Sequence, residues 1–65
     1  MRNKRGKTLK DRLNEDIEYV QSVADAGQQE LLAIKVLGAV DMAVEFGMIT
    51  YKEWEQYIKR IFALM

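Results

Sequence analysis

Few side chains in this sequence are of the kind that make or break bonds. There is no cysteine and no histidine. That removes thiolate nucleophiles, disulfides, and the side chain that most readily carries protons near neutral pH. The aliphatic hydroxyls belong to Thr8, Ser22 and Thr50, and both threonines stand where a helix start would use them as caps. The glycines are scattered rather than gathered into a loop able to cradle a phosphate. Asp41 and Glu45 lie one helical turn apart and could approach a cation together. A metal site between helices, however, normally adds histidines and further carboxylates, so a solvated strip is the simpler reading. No catalytic residue, cofactor or metal is expected, and the chain reads as a non-enzyme.

Charge offers more. Arg2, Lys4, Arg5, Lys7, Lys10 and Arg12 face only Asp11 in residues 1–12, whereas nine acids oppose four cations in the remainder. The formal net charge of zero thus hides a basic start on an acidic body. Those six cations could contact phosphates in a salt-sensitive, sequence-independent way, which makes nucleic acid a possible partner. The plainer alternative is a solubilising arm. Lys35 is isolated between Arg12 and Lys52 on an otherwise apolar stretch. It reads as a lysine that snorkels, or that pairs with an acid from the first helix or from a symmetry mate. A charge reserved for an anionic ligand is the sharper alternative.

The elements that position these groups are helical. A chain of 65 residues without proline, rich in alanine, leucine, glutamate and lysine, favours helix over strand. Residues 1–7 contain Gly6 and nothing apolar beyond Met1, so they are expected to form a basic flexible arm preceding one helical domain over 8–65. Thr8 and Asp11 have the spacing of a capping box. Leu9, Leu13, Ile17, Val20 and Ala24 then recur as one stripe of a first helix over about residues 9–26, widened by Val23. Gly27 can end or bend that helix, or the chain can run on through it. Alternatively Asp25 caps the next helix through Gln28. These options stay open on the sequence.

The second helix, expected over about 28–46, is apolar nearly all round. Leu31, Leu32, Ile34, Val36, Leu37, Val40, Met42, Val44 and Phe46 leave a narrow strip through Lys35, Gly38, Asp41 and Glu45. A helix of that kind wants covering on nearly every side, and Gly38 with Ala39 and Ala43 would let a second helix cross closely. A tight αα-hairpin at 47–50 follows, with Gly47 in the left-handed position after the helix and Thr50 and Glu53 as a second capping box. Ile49 and Trp54 have the spacing of a hydrophobic staple. The third helix, over about 51–64, carries Tyr51, Trp54, Ile58, Ile61, Phe62 and Met65 towards one face, with Glu55 and Lys59 paired on another.

The run Gly47-Met48-Ile49-Thr50-Tyr51-Lys52-Glu53-Trp54, followed by a helix, resembles the hairpin of SHOCT-type modules. It is also similar to small helical proteins of phages and mobile elements of Gram-positive bacteria. The resemblance covers residues 46–64 and implies an interaction or oligomerisation hairpin, with no catalytic residues to carry over. A DNA-reading helix-turn-helix fits less well. Aligning Ala43 and Gly47 with that motif would require Glu53 and Gln56 to be buried, and would set Glu53 and Glu55 near phosphates.

Taken together, an all-α fold of three helices is expected, assembling as a homo-oligomeric bundle. A core this small otherwise lacks the staples that stabilise short chains. The expected function is that of a stoichiometric binding protein: an inhibitor, adaptor or sequestering factor, phage-like in character. Its interface would draw on Leu31, Ile34, Lys35, Gly38, Ala39, Met42, Trp54, Tyr57 and Ile61. Tyr57, off the main stripe of its helix, and the other ring residues Tyr51 and Trp54 read mainly as core, with Tyr57 the one best placed to meet a partner. The partners expected are a second copy of the chain and a protein target, with nucleic acid through the arm as the alternative. Peripheral membrane binding is a third, weaker reading. The stretch from Leu31 to Phe46 is short for a bilayer span and carries charges, the basic start lacks the apolar run of a signal peptide, and a cytoplasmic location is expected.

Overall fold

The computed structural model describes residues 8–65. They form three helices, α1 (Leu9–Ser22), α2 (Ala26–Glu45) and α3 (Tyr51–Phe62), and the described residues contain no strand. The expected basic arm at 1–7 lies outside the described residues.

Each helix begins where a side chain can take up backbone N–H groups that have no partner within the helix. The Thr8 hydroxyl accepts from the Asp11 N–H at 3.1 Å, and the Asp11 carboxylate accepts in return from the Thr8 N–H at 3.1 Å. Thr50 and Glu53 repeat this reciprocal pair at the start of α3, at 3.1 and 2.8 Å. The start of α2 is simpler, with the Asp25 carboxylate accepting from the Gln28 N–H at 2.9 Å.

That cap resolves the break between α1 and α2. The first helix ends at Ser22 rather than near 26, and Val23, expected to widen its stripe, is extended at φ −75° and ψ 125°. Gly27 neither ends nor bends α1; it lies inside the first turn of α2. The physical reason is that Asp25 meets unpartnered N–H groups directly, a stronger start signal than glycine is a stop signal. Gln29 adds a clasp, its side-chain amide donating at 3.0 Å to the Val20 carbonyl, which also accepts from the Val23 N–H at the end of α1.

The other end of α2 is closed by glycine. Gly47 has φ 74°, which L side chains adopt at a cost. Its N–H donates to the Val44 carbonyl at 3.1 Å, and the Met48 N–H reaches back to Ala43 at 2.8 Å. This crossed pair is the Schellman arrangement, which satisfies carbonyls that the helix itself leaves open. α3 gives up its last expected turn, with residues 63–64 forming a turn after Phe62.

One hydrophobic cluster holds the helices together. Leu13, Ile17 and Val20 of α1 meet Ala33, Val36, Val40 and Ala43 of α2, with Ile49, Tyr57 and Ile61 completing the set. The α2 spacings of three, four and three residues trace one stripe along the helix. α2 is the middle element, packed against α1 and α3.

Candidate assembly surface

The core takes only one side of α2. At about 100° per residue, Gly38 stands about 180° from the centre of the Ala33–Ala43 stripe. Leu31, Ile34, Lys35, Met42 and Glu45 gather around it. All are exposed, and the apolar ones are large: Leu31 is 64%, Ile34 50% and Met42 57% exposed. An added Cβ at Gly38 would meet no atom within 4 Å. Ala39 is exposed beside them. Of the residues expected at an interface, Leu31, Ile34, Lys35, Gly38 and Met42 thus share one exposed face, and Ala39 lies at its edge.

Trp54, Tyr57 and Ile61, expected on the same interface, are placed elsewhere. Tyr57 is 7% and Ile61 0% exposed, both inside the chain's own cluster, and Trp54 is half-buried against it. The correction has a geometric cause. Glu53 and Arg60, on the flank of α3 next to Tyr57, both reach α1, through Lys10 and Asn14 respectively. α1 therefore covers the Tyr57 side, and the opposite flank of α3 turns outward. Tyr51, Phe62 and Met65, expected on the buried face, are exposed in consequence. Phe46 and Met48 at the α2–α3 connection are exposed as well. Nothing in the spacing singled these five out, because periodicity defines stripes but not which neighbour approaches them.

Polar contacts stitch the helices around this core. The Trp54 indole N–H donates to Asp41 Oδ1 at 2.8 Å, which occupies one carboxylate oxygen of the pair that a cation would have needed. Among the described residues, no three of the histidine, cysteine, aspartate and glutamate side chains gather as a metal-holding group. Arg60 donates to Asn14 Oδ1 at 2.6 Å, and Asn14 in turn donates to the Lys10 carbonyl at 2.9 Å. Lys10 pairs with Glu53. The hydrogen bond and charge of Glu53 hold the Lys10 ammonium above its ordinary range. Lys10, followed by the Thr50 N–H, holds the Glu53 carboxyl below its own.

The remaining charges are distributed as follows. Lys35 is exposed, and it has no ion-pair partner among the described residues, so no acid of α1 takes it. Of the six cations suggested for nucleic acid, Arg2, Lys4, Arg5 and Lys7 lie outside the described residues, Lys10 is engaged by Glu53, and Arg12 is exposed. Glu53 sits half-buried beside Lys10 and Gln56 is exposed, so the burial that a DNA-reading hairpin requires at both positions is not met. No helix of the described residues is long and apolar enough to cross a membrane.

Comparison of the chain with family models, with curated proteins and with solved structures finds no match in any of the three.

Proposed function

We propose that this chain is a stoichiometric, non-catalytic binding protein that works as a self-assembled helical bundle. It would act as an inhibitor, adaptor or sequestering factor. The observation that carries the reading is the outer face of α2. Leu31, Ile34 and Met42 are at least half exposed around a glycine with open space above it, while the chain's own cluster is complete without them. Each large apolar side chain left in water forgoes about 1.5–3 kcal/mol of burial, a sizeable share of the about 5–15 kcal/mol that holds a domain folded. A second copy is the partner always at hand. The exposed Tyr51, Phe46 and Phe62 would remain for a protein target, in keeping with the interaction role that a SHOCT-like hairpin implies.

Sedimentation equilibrium on the untagged protein tests this. The expected result is a dimer or larger species at micromolar concentration, with a melting temperature that falls on dilution. A monomer at high micromolar concentration, melting at the same temperature whatever the dilution, would defeat the reading.

A further inference from the structure

The bare surface does not end with α2. At about 100° per residue, Tyr51, Glu55 and Phe62 fall within about 40° of one another on α3. They stand about half a turn from Glu53 and Arg60, the two residues that reach α1. They therefore look away from α1, as the Gly38 face of α2 does, and all three are exposed. The α2–α3 hairpin thus has one side covered by α1 and the other bare along both helices. The Trp54–Asp41 hydrogen bond marks the seam between them and sets their relative heights. Asp41 lies three residues after Gly38 and Trp54 three before Tyr57. Because the two helices run in opposite directions, Gly38 and Tyr57 share a level. Glu55 and Lys59 are placed evenly about it, two residues before Tyr57 and two after. Both are exposed on the edge of α3 turned from α2, and neither has an ion pair among the described residues. Lys35 stands on the far edge of α2, about 120° round the helix from Asp41.

Two copies can set these bare sides face to face about a two-fold axis in two ways. With the axis along the helices, α2 lies over the mate's α3. Lys35 then falls beside the mate's Lys59, because the two are displaced three and two residues in the same direction from the shared level. Symmetry repeats that like-charge meeting. With the axis across the hairpin at the level of Gly38 and Tyr57, each helix lies antiparallel on its own copy. Glu55 and Lys59 keep to one edge and exchange heights, so each Lys59 stands across from the mate's Glu55, again twice. Lys35 and Asp41 each stay about 9 Å from their own copies along the helices, and Asp41 is held by Trp54. Tyr51, six residues before the level, meets the mate's Phe62, five after it. Gly38 at the axis leaves the two α2 backbones room to approach. We infer that the chain forms a two-fold dimer through the bare side of its α2–α3 hairpin, each helix antiparallel to its own copy, with Lys59 of one chain opposite Glu55 of the other. The inference rests on the assembly reading above and adds its orientation. It also draws Tyr51 and Phe62 into the dimer, leaving the exposed Phe46 and Met48 at the hairpin end for a protein target.

Charge reversal on the full chain, read by sedimentation equilibrium, tests the pairing. Lys59→Glu and Glu55→Lys should each raise the dimer dissociation constant by about three- to tenfold, since each places like charges across the interface twice. An equimolar mixture of the two variants should recover the association, because every facing pair is then of opposite sign. Neither residue has a hydrogen bond or ion pair to lose within the described chain, and helicity by circular dichroism checks that each variant is folded. Absence of native cysteine makes cross-linking clean. Gly38→Cys should give a disulfide-linked dimer under mild oxidation, and Tyr51→Cys chains should cross-link to Phe62→Cys chains. Neither of the last two should link to its own copy, about 18 and about 15 Å away along the axis, beyond disulfide reach. A monomer in sedimentation would overturn the assembly reading and this inference together. A stable dimer that Lys59→Glu tightens or leaves unmoved, or in which Phe62→Cys links to Ile34→Cys rather than to Tyr51→Cys, would overturn the inference while leaving assembly intact. So would a stable dimer in which none of these cysteines cross-links.

Discussion

Gly47 and Thr50 hold the α2–α3 connection by different means. One supplies a backbone conformation and the other a side-chain acceptor. Thr50→Ala removes the acceptor for the Glu53 N–H and should cost about 1 kcal/mol in urea unfolding. Gly47→Val must hold a β-branched residue at φ 74° and should cost more; equal stability in both variants would show that the connection is not held this way. The Lys10–Glu53 pair leads to a pH dependence. The Glu53 carboxyl is held below its ordinary range by Lys10 and by the Thr50 N–H, so the folded state binds its proton less readily than the unfolded one. Its contribution is therefore present above the ordinary carboxylate range and is lost as pH falls through the lowered folded value. Lys10 is the mirror case: raised by Glu53, it contributes below the ordinary ammonium range and loses that contribution as pH rises through the folded value. Glu53→Gln should flatten the acid limb of a melting-temperature profile, and added salt should shrink the difference, because both groups keep part of their surface in water. A profile unchanged by the substitution would sink the assignment. At this scale much was legible in the sequence. Both capping boxes and the turn glycine could be read because capping chemistry is local, needing only the residue and its neighbours three or four along.

At the scale of elements, locality stops being enough. Three helices follow from periodicity and caps, but Asp25 and Gly27 offer competing punctuation two residues apart, and only the Asp25–Gln28 hydrogen bond decides between them. The all-round apolar character of α2 was plain, yet which stripe would turn inward depends on where α1 and α3 approach. The stripe through Ala33, Val36, Val40 and Ala43 is inside because it has small and β-branched side chains that let two helices come close; the bulkier Leu31, Ile34 and Met42 are left outside. Tyr57, read mainly as core but also offered to a partner, lies in the core because α1 arrives on its flank. Gly38 offers a test belonging to the helix itself. Nothing lies within 4 Å of a Cβ added there, so Gly38→Ala should raise the stability of the dilute chain by up to about 1 kcal/mol through helix propensity. A bulky Gly38→Leu should instead weaken association more than the solvent-side change Gln56→Ala, as read by sedimentation of the variants. If Gly38→Leu associates as tightly as the parent chain, α2 does not cross its mate at that glycine.

At the scale of the whole molecule, all members of the core cluster lie between Leu13 and Ile61. Removing residues 1–7 should therefore leave helicity and melting temperature nearly unchanged, and a large fall in melting temperature would show that those residues join the fold. The same truncation separates the nucleic-acid alternative, which predicts salt-dependent binding to a fluorescent oligonucleotide that disappears with the arm; the assembled state should be indifferent to it. The connections at 23–25 and 46–50 are short, and α2 packs against both of its neighbours in sequence. Chains built from such near-neighbour pairings fold within about microseconds to milliseconds. Association of two finished chains is a slower, second-order event. At a typical rate constant of about 10⁵–10⁷ M⁻¹s⁻¹, a micromolar solution needs from about a tenth of a second to about ten seconds. On the assembly reading, every newly folded chain thus spends an interval, set by how many copies surround it, with Leu31, Ile34 and Met42 uncovered. During that interval a foreign helix competes with the second copy on equal terms, and expression level becomes the setting that decides which of the two is captured first.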